Sequence, residues 1–360
     1  MGVFRQRCRG LKKPLRVGVV GAGFGARVLL PAFRHNPGCR VMALCVSSQK
    51  HAQFVSKKWN VPHAYGNWHK MVSDPDLDAI VIAVPPDLQP AIALKAIRSG
   101  KAVFCEKPLS VRMADARRMT VESRRKKVVS VVDFEFPEVP AFKVAKKYLD
   151  QKKLGGLRHV NLAWQIETYA NAHKLNSWKN KQARGGGALF SFVSHSFYYL
   201  EWLFGPIAAL NARVRTAPDL KPNQDTLCLM RLFFKQGFYA NVTVATHALH
   251  GSGHRLEIYG SKGTLRLENG AKDYIDGFKI FYGSRKDSDL KPIRLHLTGP
   301  KTADGRIGAV SSLASRFIGA VKNNKPMTPD LQSGLRVQQL IETARLSARS
   351  EQWVECQKEK

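Results

Sequence analysis

Acidic residues are scarce in this chain: 27 Asp and Glu stand against 58 Lys and Arg among 360 residues, giving a formal charge of +31. Such an imbalance raises a positive field that concentrates anions, whether a dinucleotide, a phosphorylated or carboxylated substrate, or nucleic acid. The basic residues are spread along the chain, through the N-terminal arm, Arg124 to Lys127, Lys143, Lys146, Lys147, Lys152, Lys153, and the stretch from Lys174 to Arg184. No nucleic-acid module and no alternation of basic with aromatic residues accompanies them. Solvated surface charge is therefore the expectation, and a specific nucleic-acid partner is not. Cysteine is also rare: six residues, at positions 8, 39, 45, 105, 228 and 356, form no C-x-x-C pair. They read as reduced, apolar thiols, and no metal site is expected. No apolar run approaches the roughly 20 residues of a membrane helix. The basic start, with Arg5, Arg7, Arg9, Lys12, Lys13 and Arg16, leads into a short glycine-broken run that serves better as a sheet strand than as a signal-peptide core. Gln6 stands where a myristoylation signal after Gly2 wants Ser or Thr. A cytoplasmic protein with no membrane partner is expected. Internal repeats and low-complexity linkers are missing too.

What is present is a core-forming composition, 44% hydrophobic, long enough for two domains. Leu15 to Val20 reads as a buried strand that breaks into Gly21-Ala22-Gly23-Phe24-Gly25-Ala26 and resumes as a helix over Arg27 to Phe33. Gly21, Gly23 and Ala26 meet the pattern G-x-G-x-x-G/A, which allows a tight turn and close approach of a pyrophosphate to a helix N-terminus. Val41 to Val46, Ala79 to Val84, Ala102 to Cys105 and Val128 to Phe134 read as further strands, with helices over Ala91 to Ser99 and Ala114 to Lys127 between them. This alternation predicts a doubly wound parallel sheet of the Rossmann type.

Beyond Pro137 the pattern changes. After a basic helix near Phe142 to Leu149 come strand-like segments at Val160 to Tyr169, Leu210 to Val214, Leu227 to Phe234, Ala240 to Thr246, Leu256 to Tyr259 and Thr264 to Leu267. Leu265 and Leu267 fall on one face of the last, Arg266 and Glu268 on the other, as a sheet buried on one side requires. Helices are expected over Gly187 to Phe204, near Ser311 to Lys322, and over Gln332 to Ser350. The expected fold is thus an α/β domain over residues 1–137, its first 14 residues a basic arm, followed by an α+β domain over 138–360 with a largely antiparallel open sheet and flanking helices. Self-association through that sheet, as a homodimer or homotetramer, is expected because large apolar surface seldom stays bare.

The most specific motif is Cys105-Glu106-Lys107-Pro108, directly after a strand of the parallel sheet. With it go Asp74-Pro75-Asp76, Ser99-Gly100-Lys101, Trp178-Lys179, Gly185-Gly186-Gly187, Tyr259-Gly260-Ser261-Lys262-Gly263-Thr264, Ser347-Ala348-Arg349 and Trp353-Val354. Over nearly its whole length the chain resembles the Gfo/Idh/MocA family of oxidoreductases. The resemblance implies hydride transfer between a nicotinamide cofactor and a hydroxyl-bearing carbon of a sugar, inositol or nucleotide-sugar. It implies that Lys107 is a catalytic group, where a partly desolvated ammonium stabilises a developing alkoxide. His195 occupies the histidine position of the family's G-G-G-x-L-x-D-x-G-x-H pattern and can exchange a proton with the substrate oxygen. Cofactor contacts are expected from Gly21, Gly23, Phe24, Gly25, Ala26, Ser47, Ser48, Lys50, Pro85, Gln89, Glu106 and Lys107. Substrate contacts are expected from Tyr169, Trp178, Lys179, Ser191 and His195, with Arg184 nearby, suiting a polyhydroxylated or anionic ligand.

The chain departs from the family in several places, among them Val193 for the usual glycine and Tyr198 where a second aspartate is frequent. Ser191 replaces the helix aspartate, Gln89 stands where histidine is frequent, and Phe134-Glu135-Phe136-Pro137 lacks the usual arginine. After the second strand comes Val46-Ser47-Ser48-Gln49-Lys50 with no acidic residue to hold a ribose 2′-hydroxyl, which favours NADP over NAD. The leading reading is an NAD(P)-dependent dehydrogenase in which Lys107 and His195 assist proton transfer. A dinucleotide-binding regulator that has lost its chemistry and an NAD-dependent glycosidase of the same fold stay open beside it.

Overall fold

A computed structural model describes residues 13–220, 224–270, 273–295 and 304–356. The chain forms two compact units, Met1–Glu135 with Thr302–Leu335, and Phe136–Lys301 with Arg336–Lys360.

The first unit holds a six-stranded sheet: β1 Leu15–Val20, β2 Cys39–Cys45, β3 His63–Tyr65, β4 Ala79–Ile82, β5 Ala102–Cys105 and β6 Ser130–Val132, in the order β3-β2-β1-β4-β5-β6. Every pairing is parallel. All four residues of β4 and of β5 are buried, as strands covered on both faces must be. The strand order reverses between β1 and β4, and the crevice beyond their carboxyl ends is where ligands sit in such sheets.

One helix of this unit comes from far along the sequence. Arg306–Asn323 is a full 18-residue helix, longer than the predicted Ser311 to Lys322 segment. Its Leu313, Ala314 and Phe317 enter the same core as Val17, Val19 and Phe33. Phe33, Phe104 and Phe317 form a ring triangle with centroid separations of 5.2, 5.7 and 6.2 Å. The linear division into 1–137 and 138–360 thus differs from the spatial one, because an amphipathic helix records its apolar face but not which sheet it will cover.

The second unit holds a nine-stranded sheet: β7 Leu157–Gln165, β8 Ile207–Arg215, β9 Leu227–Phe234, β10 Tyr239–Ala245, β11 Gly253–Gly260, β12 Gly263–Asn269, β13 Lys279–Ser284, β14 Lys291–Ile293 and β15 Val354–Glu355. The order is β14-β13-β12-β11-β7-β10-β9-β8-β15. The pairings are antiparallel except β7 with β10, which run parallel. Leu265 and Leu267 are fully buried, while Arg266 and Glu268 pair across 3.1 Å on the other face. The predicted strand Val160 to Tyr169 ends earlier, at Gln165, and Tyr169 instead opens a short helix, Tyr169–Ala172, capped by the Thr168 hydroxyl. Among the described residues no helix is long and apolar enough to cross a membrane.

Candidate active site

The turn after β1 is shaped by its glycines. Gly21 has φ of +116°, and a Cβ there would collide with the Ala83 carbonyl oxygen, so only glycine lets β1 and the end of β4 lie this close. A Cβ on Gly25 would press on the Ala83 Cβ at 3.3 Å. Gly23 is exposed and meets nothing within 4 Å, which leaves open space over the turn. The helix that follows is not regular: Gly25–Leu29 winds as a π-turn before Leu30–Arg34 continues as α-helix. Its first N–H groups lack intrahelical partners and carry the positive end of the dipole. The cradle fits a pyrophosphate.

Past β2, Ser47, Ser48, Gln49 and Lys50 are all exposed. Ser48 caps the helix Gln49–Lys58, its Oγ accepting from the His51 N–H at 3.3 Å. Past β4, Pro85 is half-buried and its carbonyl accepts from the Gln89 N–H at 3.2 Å. Gln89 itself is fully buried. Its Nε2 donates to the carbonyls of Glu106, Pro108 and Leu109 at 2.6, 3.1 and 3.2 Å, so the side chain is a strut beneath the E-K-P turn.

Around Lys107 the fold gathers groups that the sequence did not single out. The Asp133 N–H donates to the Cys105 carbonyl at 2.8 Å, continuing the β5 and β6 ladder and setting Asp133 level with Glu106. The chain turns tightly at Asp133, the Phe134 N–H donating to the Val132 carbonyl at 2.8 Å, and Glu135 follows within electrostatic reach of Glu106 and Lys107. Asp133 is 1% and Glu135 2% exposed. Burial pushes the Glu106 carboxyl up against the opposing pull of Lys107. Burial, with the charges of Glu106 and Glu135, pushes Asp133 well up. Burial raises Glu135 to about 8 although Lys107 favours its ionised form. Arg306 completes the set. It reaches over the Phe24 ring at 5.1 Å and contacts the carboxylate of Asp304 through Nε and Nη2, and its charge favours ionised Glu106 and Glu135. No sequence pattern marks Arg306 or Asp133; their neighbourhood comes from strand register and from the returning helix.

In the second unit, Ser191 and His195 lie on one helix that begins with the π-turn Leu189–Val193 and continues as Ser194–Phe204. Its start is held by Asp225: the Leu189 N–H donates to Oδ2 at 2.5 Å and the Ala188 N–H to the Asp225 carbonyl at 2.8 Å. Gly187, with φ of +97°, is required there because a Cβ would strike the Asp225 carboxylate. The W-K and G-G-G motifs meet, since the Gly187 N–H donates to the Lys179 carbonyl at 2.9 Å and a Cβ on Gly186 would collide with that same carbonyl. His195 is 2% exposed, its ring 5.1 Å from Phe136 and 6.3 Å from Trp164. Ser191 and Trp178 are half-buried, Lys179 and Arg184 exposed. Tyr169 is 72% exposed and stacks on His173 at 4.0 Å.

Residues 15–134 match the model of an oxidoreductase family described as an NAD-binding Rossmann fold, and residues 146–356 match the C-terminal alpha/beta domain of the same oxidoreductase family. An uncharacterized oxidoreductase of Synechocystis sp. is 33% identical over 356 residues, covering 94% of this chain and 95% of the relative. Levoglucosan dehydrogenase of Pseudarthrobacter phenanthrenivorans is 24% identical, with 95% and 98% covered. Trans-1,2-dihydrobenzene-1,2-diol dehydrogenase of Bos taurus is 26% identical over 260 residues, 70% of this chain and 74% of that one. Among solved structures, levoglucosan dehydrogenase in complex with NADH and levoglucosan aligns with a TM-score of 0.87 at 21% identity, over 96% of this chain and all of that one, a likeness of fold.

Proposed function

The chain belongs to the Gfo/Idh/MocA family of oxidoreductases with an NAD-binding Rossmann domain, and from that membership we propose that it oxidises or reduces a hydroxyl-bearing carbon of a sugar, cyclic polyol or sugar derivative. When bound, the nicotinamide supplies the redox chemistry by taking or giving hydride. The turn Gly21 to Ala26 would hold the pyrophosphate on backbone N–H groups, with Phe24 at its rim. Exposed Ser47 and Lys50, and the absence of a carboxylate beside them, support NADP as the preferred form.

The observation that carries the reading is the setting of Lys107, at the carboxyl edge of the parallel sheet among three buried carboxyl groups. An ammonium there would lie at the reacting hydroxyl, stabilise alkoxide character and pass on the proton. His195 is proposed as the second group assisting that proton transfer, with Ser191 limited to hydrogen bonding. Tyr169, Trp178, Lys179 and Arg184 are proposed to meet the polyhydroxylated or anionic substrate. Levoglucosan and trans-dihydrodiols, the substrates named for two relatives, define the first panel to try.

Replacing Lys107 by Met is expected to abolish turnover across such a panel while NADPH binding, read by nicotinamide fluorescence, persists. Undiminished turnover would overturn the role of Lys107. Oxidation of no panel member by the wild-type chain, despite tight NADPH binding, would favour the regulator reading. For assembly, we propose pairing through the exposed face of the second sheet, where Leu229, Tyr239 and Trp353 are 43%, 54% and 43% exposed. Tyr239→Glu should lower the sedimentation-derived mass to that of a monomer.

A further inference from the structure

Asp133 and Glu135 lie after β6, outside the glycine turn, yet both are buried beside the E-K-P segment. Neither Asp133 carboxyl oxygen, nor Oε1 of Glu106, meets an N–H or hydroxyl donor among the described residues. Two adjacent buried acids left in that state are satisfied by a proton held between them, since a pair of carboxylates in low dielectric repel. The groups facing this cluster are Glu106 and Lys107 after β5, Asp133 and Glu135 after β6, and Arg306 at the start of the returning helix. Arg306 is itself paired with Asp304, so four acids stand against two bases, and a proton on the Glu106 and Asp133 pair removes one of the two negative charges in excess.

We propose that Asp133 and Glu135 form an internal proton store for Lys107, with Glu135 the group that exchanges with it and Asp133 the group that fixes the charge of the cluster. This rests on the reading of Lys107 as the group at the reacting hydroxyl. In the direction of alcohol oxidation an N–H bond of the Lys107 ammonium breaks and that proton forms a carboxyl O–H on the ionised form of Glu135. The substrate O–H bond then breaks, and its proton forms an N–H bond at the lone pair left on Nζ of Lys107. Lys107 ends with the charge it began with, and the carbon loses its hydride to the nicotinamide, so the substrate gives up one proton and one hydride. In reduction Glu135 returns the proton by the same path. A carboxyl that titrates near neutral pH both accepts and gives a proton readily, which Ser191 cannot do.

The test is an infrared difference titration of the full chain without cofactor, from about pH 5 to about pH 10, on wild type and on Glu135→Gln, Asp133→Asn and Lys107→Met. Wild type should keep a protonated-carboxyl C=O band at neutral pH, part of which disappears close to the Glu135 midpoint of about 8. Glu135→Gln should remove that titrating part. Lys107→Met should move it upward by about one pH unit or more, because the nearby cation no longer favours the carboxylate. Asp133→Asn should move it downward by removing a competing acid. Absence of a protonated band at neutral pH, or a band indifferent to Lys107→Met, would overturn the store. Should Glu135→Gln fail to fold by circular dichroism, Glu135→Asp must retain a titrating band at a changed midpoint, and its loss would count against the proposal. The spectrum needs no turnover, so a chain that oxidises no polyol refutes the proposed reaction and leaves this result standing. If turnover is found, Glu135→Gln should lower kcat tenfold or more with KM unchanged and flatten the pH profile of kcat, whereas a merely structural residue would leave that profile unchanged.

Discussion

The Nε2 of Gln89 lies 2.6 Å from the carbonyl oxygen of Glu106, and the same nitrogen reaches the carbonyls of Pro108 and Leu109. One buried amide thereby sets the backbone that presents Lys107. Gln89→Leu keeps the volume and removes the donor. Each carbonyl left buried without a partner costs about 1–3 kcal/mol. The variant should unfold at clearly lower urea concentration than wild type, and an unchanged midpoint would show that the strut contributes nothing.

Gly21→Ala places a methyl group against the Ala83 carbonyl at a φ of +116°. The β1 turn must shift to relieve it, and the N–H groups shift with it. NADPH affinity should fall at least about tenfold, equivalent to about 1.4 kcal/mol, as read by fluorescence titration. Gly23→Ala meets open space in the protein itself. Any loss it causes therefore reports on the bound dinucleotide, and comparing the two separates turn strain from ligand contact.

Asp225→Ala removes the acceptor for the Leu189 N–H at the start of the helix bearing His195. Loss of such a cap costs about 1–2 kcal/mol. Chemical denaturation followed by tryptophan fluorescence should show this, and Gly187→Ala, which drives a methyl into the same carboxylate, should reproduce the effect from the other side.

His254 is fully buried, stacked on Trp164 at 4.4 Å with its Nε2 3.0 Å from the Tyr199 hydroxyl, and burial lowers its pKa to about 3 from 6.5. Between those values the unfolded chain binds a proton that the folded chain does not. Stability from this group is therefore complete above about pH 6.5 and falls as pH drops toward 3, by at most about 1.4 kcal/mol per pH unit. His254→Gln, which cannot charge, should shift the acid-unfolding midpoint to lower pH. A midpoint equal to or above that of wild type would contradict this.

Glu135 acts in the opposite sense. Burial raises its folded pKa from 4.5 to about 8, so the folded chain retains a proton that the unfolded chain has released. Stability is complete below about pH 4.5 and is lost as pH rises through 8. Glu135→Gln should flatten the alkaline side of the stability profile, measured by urea midpoints across the range, and leave the acid side as it was.

Much of the first unit was legible because doubly covered strands such as Ala79–Ile82 and Ala102–Cys105 are short, wholly apolar and bounded by turn residues. The glycine turn and the E-K-P segment were legible as local patterns, and the family models over 15–134 and 146–356 bear out the fold and family read from them. The short strands His63–Tyr65 and Lys291–Ile293 were not, because three residues carry too little periodicity. Nor was the parallel contact of β7 with β10, since alternation gives the buried face and not the neighbour.

The amino-acid order by itself settled which segments bury a face, where only glycine can turn the chain, and which motif carries the lysine, because each of these depends on residues near one another in sequence. Tertiary structure alone decided that Phe317 closes a core begun by Phe33, that Gln89 braces Glu106 from below, and that Asp133 and Glu135 come within electrostatic reach of Lys107 while Arg306 comes within reach of Glu106 and Glu135. Those relations depend on strand register and on where a helix lands. Burial then changes the chemistry of a carboxyl group in a way that its position in the sequence does not express.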